Sequence, residues 1–260
     1  MELEPPKVLF SDDAFLDGSS SVGVDMTSSF VIASDRPWNN RLAEDLARET
    51  TLEFHLIADS KGLSMNALDN ISPEIVFFPH WSYKIDRSIY EKYECIVFHM
   101  TDLPFGRGGS PLQNLILGGH TTTKISALKC GAEIDGGPIY AKYELGLDGS
   151  AREIFERANL VVKEMIIDIV YNRPVPVDQI GEITRFTRRR PEESRLAEER
   201  SLNAVYDKIR MLDADGYPHA FFDFNGLRFE LSGAVLDGDD VRASVRIYSI
   251  DELREGEQAK

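Results

Sequence analysis

Three short apolar runs, Phe30-Val-Ile-Ala33, Ile75-Val-Phe-Phe-Pro79 and Cys95-Ile-Val-Phe98, and the more mixed strand-like segment Leu52-Glu-Phe-His-Leu-Ile57 recur with helical segments between them, and this rhythm constrains the fold most. A run that is apolar at nearly every position suits a strand buried on both faces, which happens in a parallel sheet covered by helices. Amphipathic stretches fill the gaps: Pro37 with Leu42, Leu46 and Ala47 predicts a helix with proline early, and Ile85–Tyr93 predicts a short one. The expected class is α/β: an open, mostly parallel sheet with helices on both faces, plus a small C-terminal antiparallel β subdomain.

The rest of the chain fills in this plan. Ser110 and Pro111 open a helix through Leu117, Thr123–Leu128 and Pro138–Tyr143 read as strands, and Ser150-Ala-Arg-Glu153 is a capping box for a long helix that Pro174 ends. Ser201–Leu212 reads as a helix, while Asn225-Gly226 between apolar segments signals a hairpin. The expected organisation is an N-terminal extension over residues 1–25, a catalytic domain over 26–176, a connecting segment over 177–200 and a small subdomain over 201–260. No apolar run is long enough to cross a bilayer and no signal-peptide pattern opens the chain, so no membrane partner and a cytoplasmic location are expected. Cys95 and Cys130 fit no zinc or iron–sulfur spacing, and no metal is expected.

Charge bears on partners. The chain carries 44 acidic against 29 Lys and Arg side chains, a formal net charge of −15 that repels polyanions at long range. Arg185, Arg188, Arg189, Arg190, Arg195 and Arg200 form a basic segment, but Glu182, Glu192, Glu193, Glu198 and Glu199 are interleaved with it. On this ground nucleic acid is not expected as a partner. Exposed strands in the C-terminal part are compatible with a homodimer.

Chemistry concentrates at one strand end. His99 follows the run Cys95–Phe98 and precedes a loop rich in glycine and proline, the place where open α/β sheets put their sites. Asp135 lies in Gly131-Ala-Glu-Ile-Asp-Gly-Gly-Pro138, where the glycines let backbone approach closely; a turn aspartate capping its own loop is the structural alternative. The loop Pro104-Phe-Gly-Arg-Gly-Gly-Ser110 carries Gly106, Arg107, Gly108 and Gly109, either a ligand rim with an arginine fork or a loop locked onto the protein. Pro79, His80, Trp81 and Tyr83 end another strand and suit a flat heterocycle, whereas Tyr217 and Phe222 sit in an aromatic stretch of the C-terminal part.

Taken together, Cys95-Ile-Val-Phe-His-Met-Thr-Asp-Leu-Pro-Phe-Gly-Arg-Gly-Gly-Ser-Pro-Leu-Gln113, Lys124-Ile-Ser-Ala-Leu-Lys129 and Ala132-Glu-Ile-Asp-Gly-Gly-Pro-Ile-Tyr140 resemble the folate-dependent formyltransferases, which include methionyl-tRNA formyltransferase and the sugar N-formyltransferases. The family pattern is Asn-x-His, then Ser-Leu-Leu-Pro, a Gly-rich turn and a downstream Asp-x-Gly. His99 falls on its histidine, Asp135 on its aspartate, and Thr101, Pro104, Arg107 and Gly108 on the loop between them. Thr184–Ser194 resembles the segment joining the two parts of the family fold.

The resemblance implies formyl transfer from N10-formyltetrahydrofolate, with His99 as proton relay, Asp135 as its orienting partner, and Pro79, His80, Trp81, Tyr83 and Gly106–Gly109 around the pterin. It departs at Val97, where the pattern has an asparagine that helps hold the formyl oxygen; Asn114 is the candidate replacement donor. Because of the acidic balance and the likeness of Gly216–Phe222 to the sugar enzymes, the expected acceptor is a nucleotide-linked amino sugar of surface glycan synthesis, such as a pseudaminic acid precursor. Arg107, Arg185, Tyr217 and Phe222 would then hold the substrate. Methionyl-tRNA formylation, formyltetrahydrofolate hydrolysis and non-catalytic binding of folate or sugar nucleotide are the alternatives.

Overall fold

A computed structural model describes residues 28–250, so the expected extension over residues 1–25 lies outside the described residues. The elements in chain order are β1 (Ser29–Ala33), α1 (Leu42–Thr50), β2 (Glu53–Ile57), α2 (Met65–Ile71), β3 (Ile75–Pro79), α3 (Arg87–Lys92), β4 (Glu94–His99), β5 (Arg107–Gly108), α4 (Pro111–Leu117), β6 (Thr122–Lys129), β7 (Ile139–Gly146), α5 (Ala151–Asn172), β8 (Arg185–Phe186), α6 (Leu202–Arg210), β9 (Ala220–Phe224), β10 (Leu227–Asp237) and β11 (Asp240–Ser249). They form the expected α/β fold with a separate antiparallel β subdomain at the C-terminal end. No described helix is long and apolar enough to cross a membrane.

The chain divides into two compact units: one holds the described residues up to Arg107 with Lys124–Leu145 and Ala158–Thr184, the other Gly108–Thr123, Gly146–Arg157 and the residues from Arg185 onward.

In the first unit the sheet runs β2-β1-β3-β4-β6-β7, with β2, β1, β3 and β4 mutually parallel and β6 antiparallel to β4. Phe30, Val31, Ile32, Val76, Phe77 and Phe78 have no exposed surface, which is why β1 after Ser29 and all of β3 are apolar. β2 is an edge strand, and its Glu53 is exposed. Burial of each large apolar side chain contributes about 1.5–3 kcal/mol, which locks the strand register and therefore the height at which each strand ends.

The helix expected from Pro37 starts later. Pro37–Asn39 forms a single 3₁₀ turn before α1, with the buried Asn39 amide donating to Ser34 Oγ at 2.7 Å and to the Pro79 carbonyl at 3.3 Å. These tertiary bonds outweigh local helix preference.

In the second unit, Ser110 does not cap α4 with its side chain, because its hydroxyl accepts from the Arg189 backbone N–H at 3.1 Å. The capping box of α5 does form, with Ser150 N–H donating to Glu153 Oε2 at 2.7 Å and Glu153 N–H to Ser150 Oγ at 3.3 Å. Ser201 caps α6 through the Ala204 N–H at 3.2 Å. Asn225 and Gly226, with φ of 49° and 78°, turn β9 into β10.

Candidate active site

His99 is the last residue of β4, and the buried register of that strand delivers its ring to the sheet's carboxyl edge with 9% of the side chain exposed. Its Nε2 lies 2.8 Å from the Gly106 carbonyl oxygen. A carbonyl oxygen only accepts, so Nε2 carries the proton. On the other side Nδ1 lies 3.6 Å from Asp135 Oδ2, too long for a hydrogen bond and within ion-pair reach. Asp135 is held in the left-handed region at φ 53° and its side chain is 12% exposed.

Each partner of the imidazole sits in a loop pinned by its own bonds. Behind His99, Ser126 Oγ on β6 donates to the Thr101 carbonyl at 2.7 Å and accepts from Leu103 N–H at 3.3 Å. Gly106 N–H donates to Thr184 Oγ1 at 2.7 Å, Arg107 N–H to the Thr184 carbonyl at 3.0 Å, and Thr184 N–H to the Pro104 carbonyl at 3.3 Å. The turn carrying Asp135 closes tightly, since a Cβ on Gly137 would stand 1.9 Å from the Lys129 carbonyl oxygen. The close approach that its glycines permit is thus to the chain itself.

Other expected site residues separate into two groups. Pro79, His80, Trp81 and Tyr83 share the first unit with His99 and form an aromatic edge: Trp81 meets Phe78 at 5.7 Å and Tyr83 at 5.3 Å, while His80 meets Trp38 at 5.8 Å. Burial, assisted by the Arg36 charge, pushes the His80 imidazole down to about 4, so it is neutral near pH 7. The buried Trp81 indole N–H has no partner among the described residues. Val97 lies two residues before His99, hence on the same face of β4, and packs with Trp81 and Cys130 against the core that includes Phe78. Burial raises the Cys95 and Cys130 thiols to about 12 and about 11, which removes both as nucleophiles near pH 7.

Arg107 is not a free fork. Its side chain is 5% exposed, donates from Nη1 to Glu133 Oε1 at 2.8 Å, and donates to Gln179 Oε1 from Nε at 3.1 Å and from Nη2 at 2.8 Å. The locked-loop alternative therefore replaces the anion-binding role expected of it.

Gly108, Gly109, Asn114, Arg185, Tyr217 and Phe222 belong to the second unit. A Cβ at Gly108 would meet the Phe186 carbonyl oxygen at 2.4 Å, and one at Gly109 would meet Arg188 Cβ at 2.5 Å, so these glycines seat the neighbouring chain where a pterin rim was expected. Asn114 Nδ2 lies 3.0, 3.0 and 3.1 Å from the carbonyls of Gly109, Ser110 and Thr187. Both amide protons are engaged, which removes Asn114 as the expected oxyanion donor. Tyr217 stacks on Phe155 at 5.4 Å and Phe222 on Phe229 at 4.8 Å, so each ring spends a face on packing. Arg185 is exposed, as are Arg188 and Arg190.

Sequence reasoning missed Gln179 and met Thr184 only as the first residue of the joining segment, without its bonds to the 104–107 loop. Each is a single polar residue in an irregular stretch, and its partners, backbone groups and for Gln179 also the Arg107 guanidinium, lie far off in sequence and leave no spacing signal. Among the described residues no group of three His, Cys, Asp or Glu side chains is placed to hold a metal ion.

Comparison with known proteins decides the family. A solved methionyl-tRNA formyltransferase from Clostridium thermocellum is 43% identical, superposes with a TM-score of 0.83, and is matched over 85% of this chain and 99% of its own. The chain belongs to the methionyl-tRNA formyltransferase family of folate-dependent formyltransferases.

Residues 191–248 match the family described as Methionyl-tRNA formyltransferase, C-terminal domain. A curated methionyl-tRNA formyltransferase from Rickettsia bellii is 27% identical over 196 residues, 68% of this chain, and the chain spans only 64% of that relative's length. HypX from Aquifex aeolicus in complex with tetrahydrofolic acid shares the fold, with 21% identity, a TM-score of 0.65, and coverage of 79% of this chain and 37% of HypX.

Two expectations are corrected by these matches. The family placement is with the methionyl-tRNA formyltransferases and not with the sugar N-formyltransferases. Excluding nucleic acid was unsound as well, because the similar proteins are formyltransferases of methionyl-tRNA. Net charge sums the whole chain, whereas a polyanion meets a local surface whose field is screened within about 10 Å at moderate salt.

Proposed function

We propose that this chain transfers the formyl group of N10-formyltetrahydrofolate to the α-amine of methionyl-tRNA. The observation that carries the reading is the His99 imidazole at a sheet edge, held between the Asp135 carboxylate and the Gly106 carbonyl. Family membership supplies the reaction class.

In the proposed reaction the amine lone pair attacks the formyl carbon and the carbonyl π pair moves onto oxygen. As that pair returns, the bond from carbon to N10 breaks and its electrons remain on N10. The amine must lose a proton and N10 must gain one, and one imidazole serves both transfers. For this the Gly106 oxygen must release Nε2 and the ring proton must pass to Nδ1, which faces Asp135, so that Nε2 accepts the amine proton and returns it to N10 while Asp135 keeps the ring oriented and stabilises the cation that forms.

The aromatic edge of Trp81 and Tyr83, with an unpaired indole N–H among the described residues, fits a flat heterocycle with acceptor atoms. The tetrahydrofolic acid bound by HypX supports folate as the carrier. Valine at position 97 offers no hydrogen-bond donor, so backbone N–H groups or His99 itself must meet the developing oxyanion. Exposed Arg185, Arg188 and Arg190 offer cations to a phosphate backbone.

Incubation with donor labelled in the formyl carbon and with initiator methionyl-tRNA tests the proposal. Labelled N-formylmethionyl-tRNA is expected. Release of labelled formate without an acceptor, or no transfer to methionyl-tRNA, contradicts it.

A further inference from the structure

Both loops that grip His99 converge on one side chain that contacts neither ring nitrogen. Gln179 Nε2 donates to the carbonyl oxygens of Asp135 and Gly137, each at 2.8 Å. Its Oε1 accepts both Arg107 bonds, at 3.1 and 2.8 Å, and Arg107 directly follows Gly106. A single carboxamide thus ties the turn presenting the carboxylate to the loop presenting the carbonyl. Its donor and acceptor ends are not interchangeable, because one faces carbonyl oxygens and the other a guanidinium.

Hydrophobic burial does little to hold this stretch. Val177 and Ile180, which flank Gln179, are 62% and 87% exposed. Polar bonds do the holding: Val177 pairs with Ile139 through backbone bonds of 2.8 and 2.9 Å, Gln179 makes its four side-chain bonds, and Thr184 makes three more to the 104–107 loop. A segment secured this way fixes direction more than it adds core stability.

We infer that Gln179 is a positioning residue, which sets the His99 ring by fixing the Asp135 turn and the Gly106 loop at once. The inference rests on reading His99 as the proton carrier, but its structural half stands apart from activity. A displacement of either loop by about 1 Å frees the ring to rotate, and misplacement of that size costs about 10²-fold in rate.

The test uses the full chain with its histidines labelled with ¹⁵N, the His99 ring being assigned by its loss in His99→Ala. The wild type is expected to show a slowly exchanging Nε2–H proton. Gln179→Met removes both ends of the link. Gln179→Glu keeps an acceptor for Arg107 while losing the donor to Asp135 and Gly137, and it guards against loss of fold in the methionine variant. Either substitution is expected to abolish slow exchange and to lower kcat about 10²-fold, with KM for N10-formyltetrahydrofolate nearly unchanged. Retention of the slow Nε2–H in both folded variants overturns the inference. Its loss in a protein that shows no formyl transfer supports the positioning role and refutes only the catalytic reading.

Discussion

The carboxylate of Asp135 faces Nδ1 of His99 at 3.6 Å, while the Gly106 carbonyl takes the opposite nitrogen at 2.8 Å. The ring is therefore flanked by two oxygens from two loops, one a hydrogen-bond acceptor and the other a full negative charge. Asp135→Asn keeps the volume, and asparagine tolerates the left-handed backbone at this position, so the substitution isolates the charge. In formyl transfer kcat is expected to fall at least about 10-fold, with a cooperative unfolding transition retained, because an amide cannot stabilise the imidazolium formed in the reaction. Steady-state kinetics on the folded variant check this, and an unchanged kcat would return Asp135 to the role of a turn residue.

Val97→Asn probes the missing donor. The position shares the strand face of His99 and carries a side chain with no polar atom. Supplying an amide there is expected to raise kcat, by up to about 10²-fold if it reaches the formyl oxygen. A kcat at or below the wild-type value in a folded Val97→Asn protein shows that the oxyanion is already met by another group.

His80 governs a different observable, stability against acid. Its folded pKa of about 4 lies below the ordinary imidazole value of 6.5, so the unfolded chain takes up the proton first as pH falls. The contribution is fully present above pH 6.5 and is lost progressively down to about pH 4, by as much as about 3 kcal/mol. His80→Asn tolerates the φ of 55° and does not titrate, so its urea-unfolding free energy is expected to decline less across that window. Parallel pH curves for the two proteins would contradict the assignment.

The fold was legible where burial was complete. Phe30–Ala33 and Ile75–Phe78 read as strands because both of their faces are covered, and His99 read as a strand-end histidine for the same reason. Asn225-Gly226 marked its hairpin because the turn demands positive φ at both positions. Glycines misled, since Gly108 and Gly137 make room for the protein's own backbone, and a sequence does not distinguish that from room for a ligand. Arg107 and Asn114 misled because a polar side chain looks available until its partners are known. Net charge misled about the partner, being a sum with no geometry. Gln179 was invisible, because its role arises from carbonyl oxygens in a turn distant in sequence.

The central claim is that the His99 imidazole moves the proton in formyl transfer. Single-turnover transfer from saturating labelled N10-formyltetrahydrofolate to methionyl-tRNA, measured for wild type and for His99→Ala, tests it most directly. Turnover is expected to fall by about 10²–10⁴ with donor binding and cooperative unfolding retained. A His99→Ala protein that transfers formyl at the wild-type rate would contradict the account.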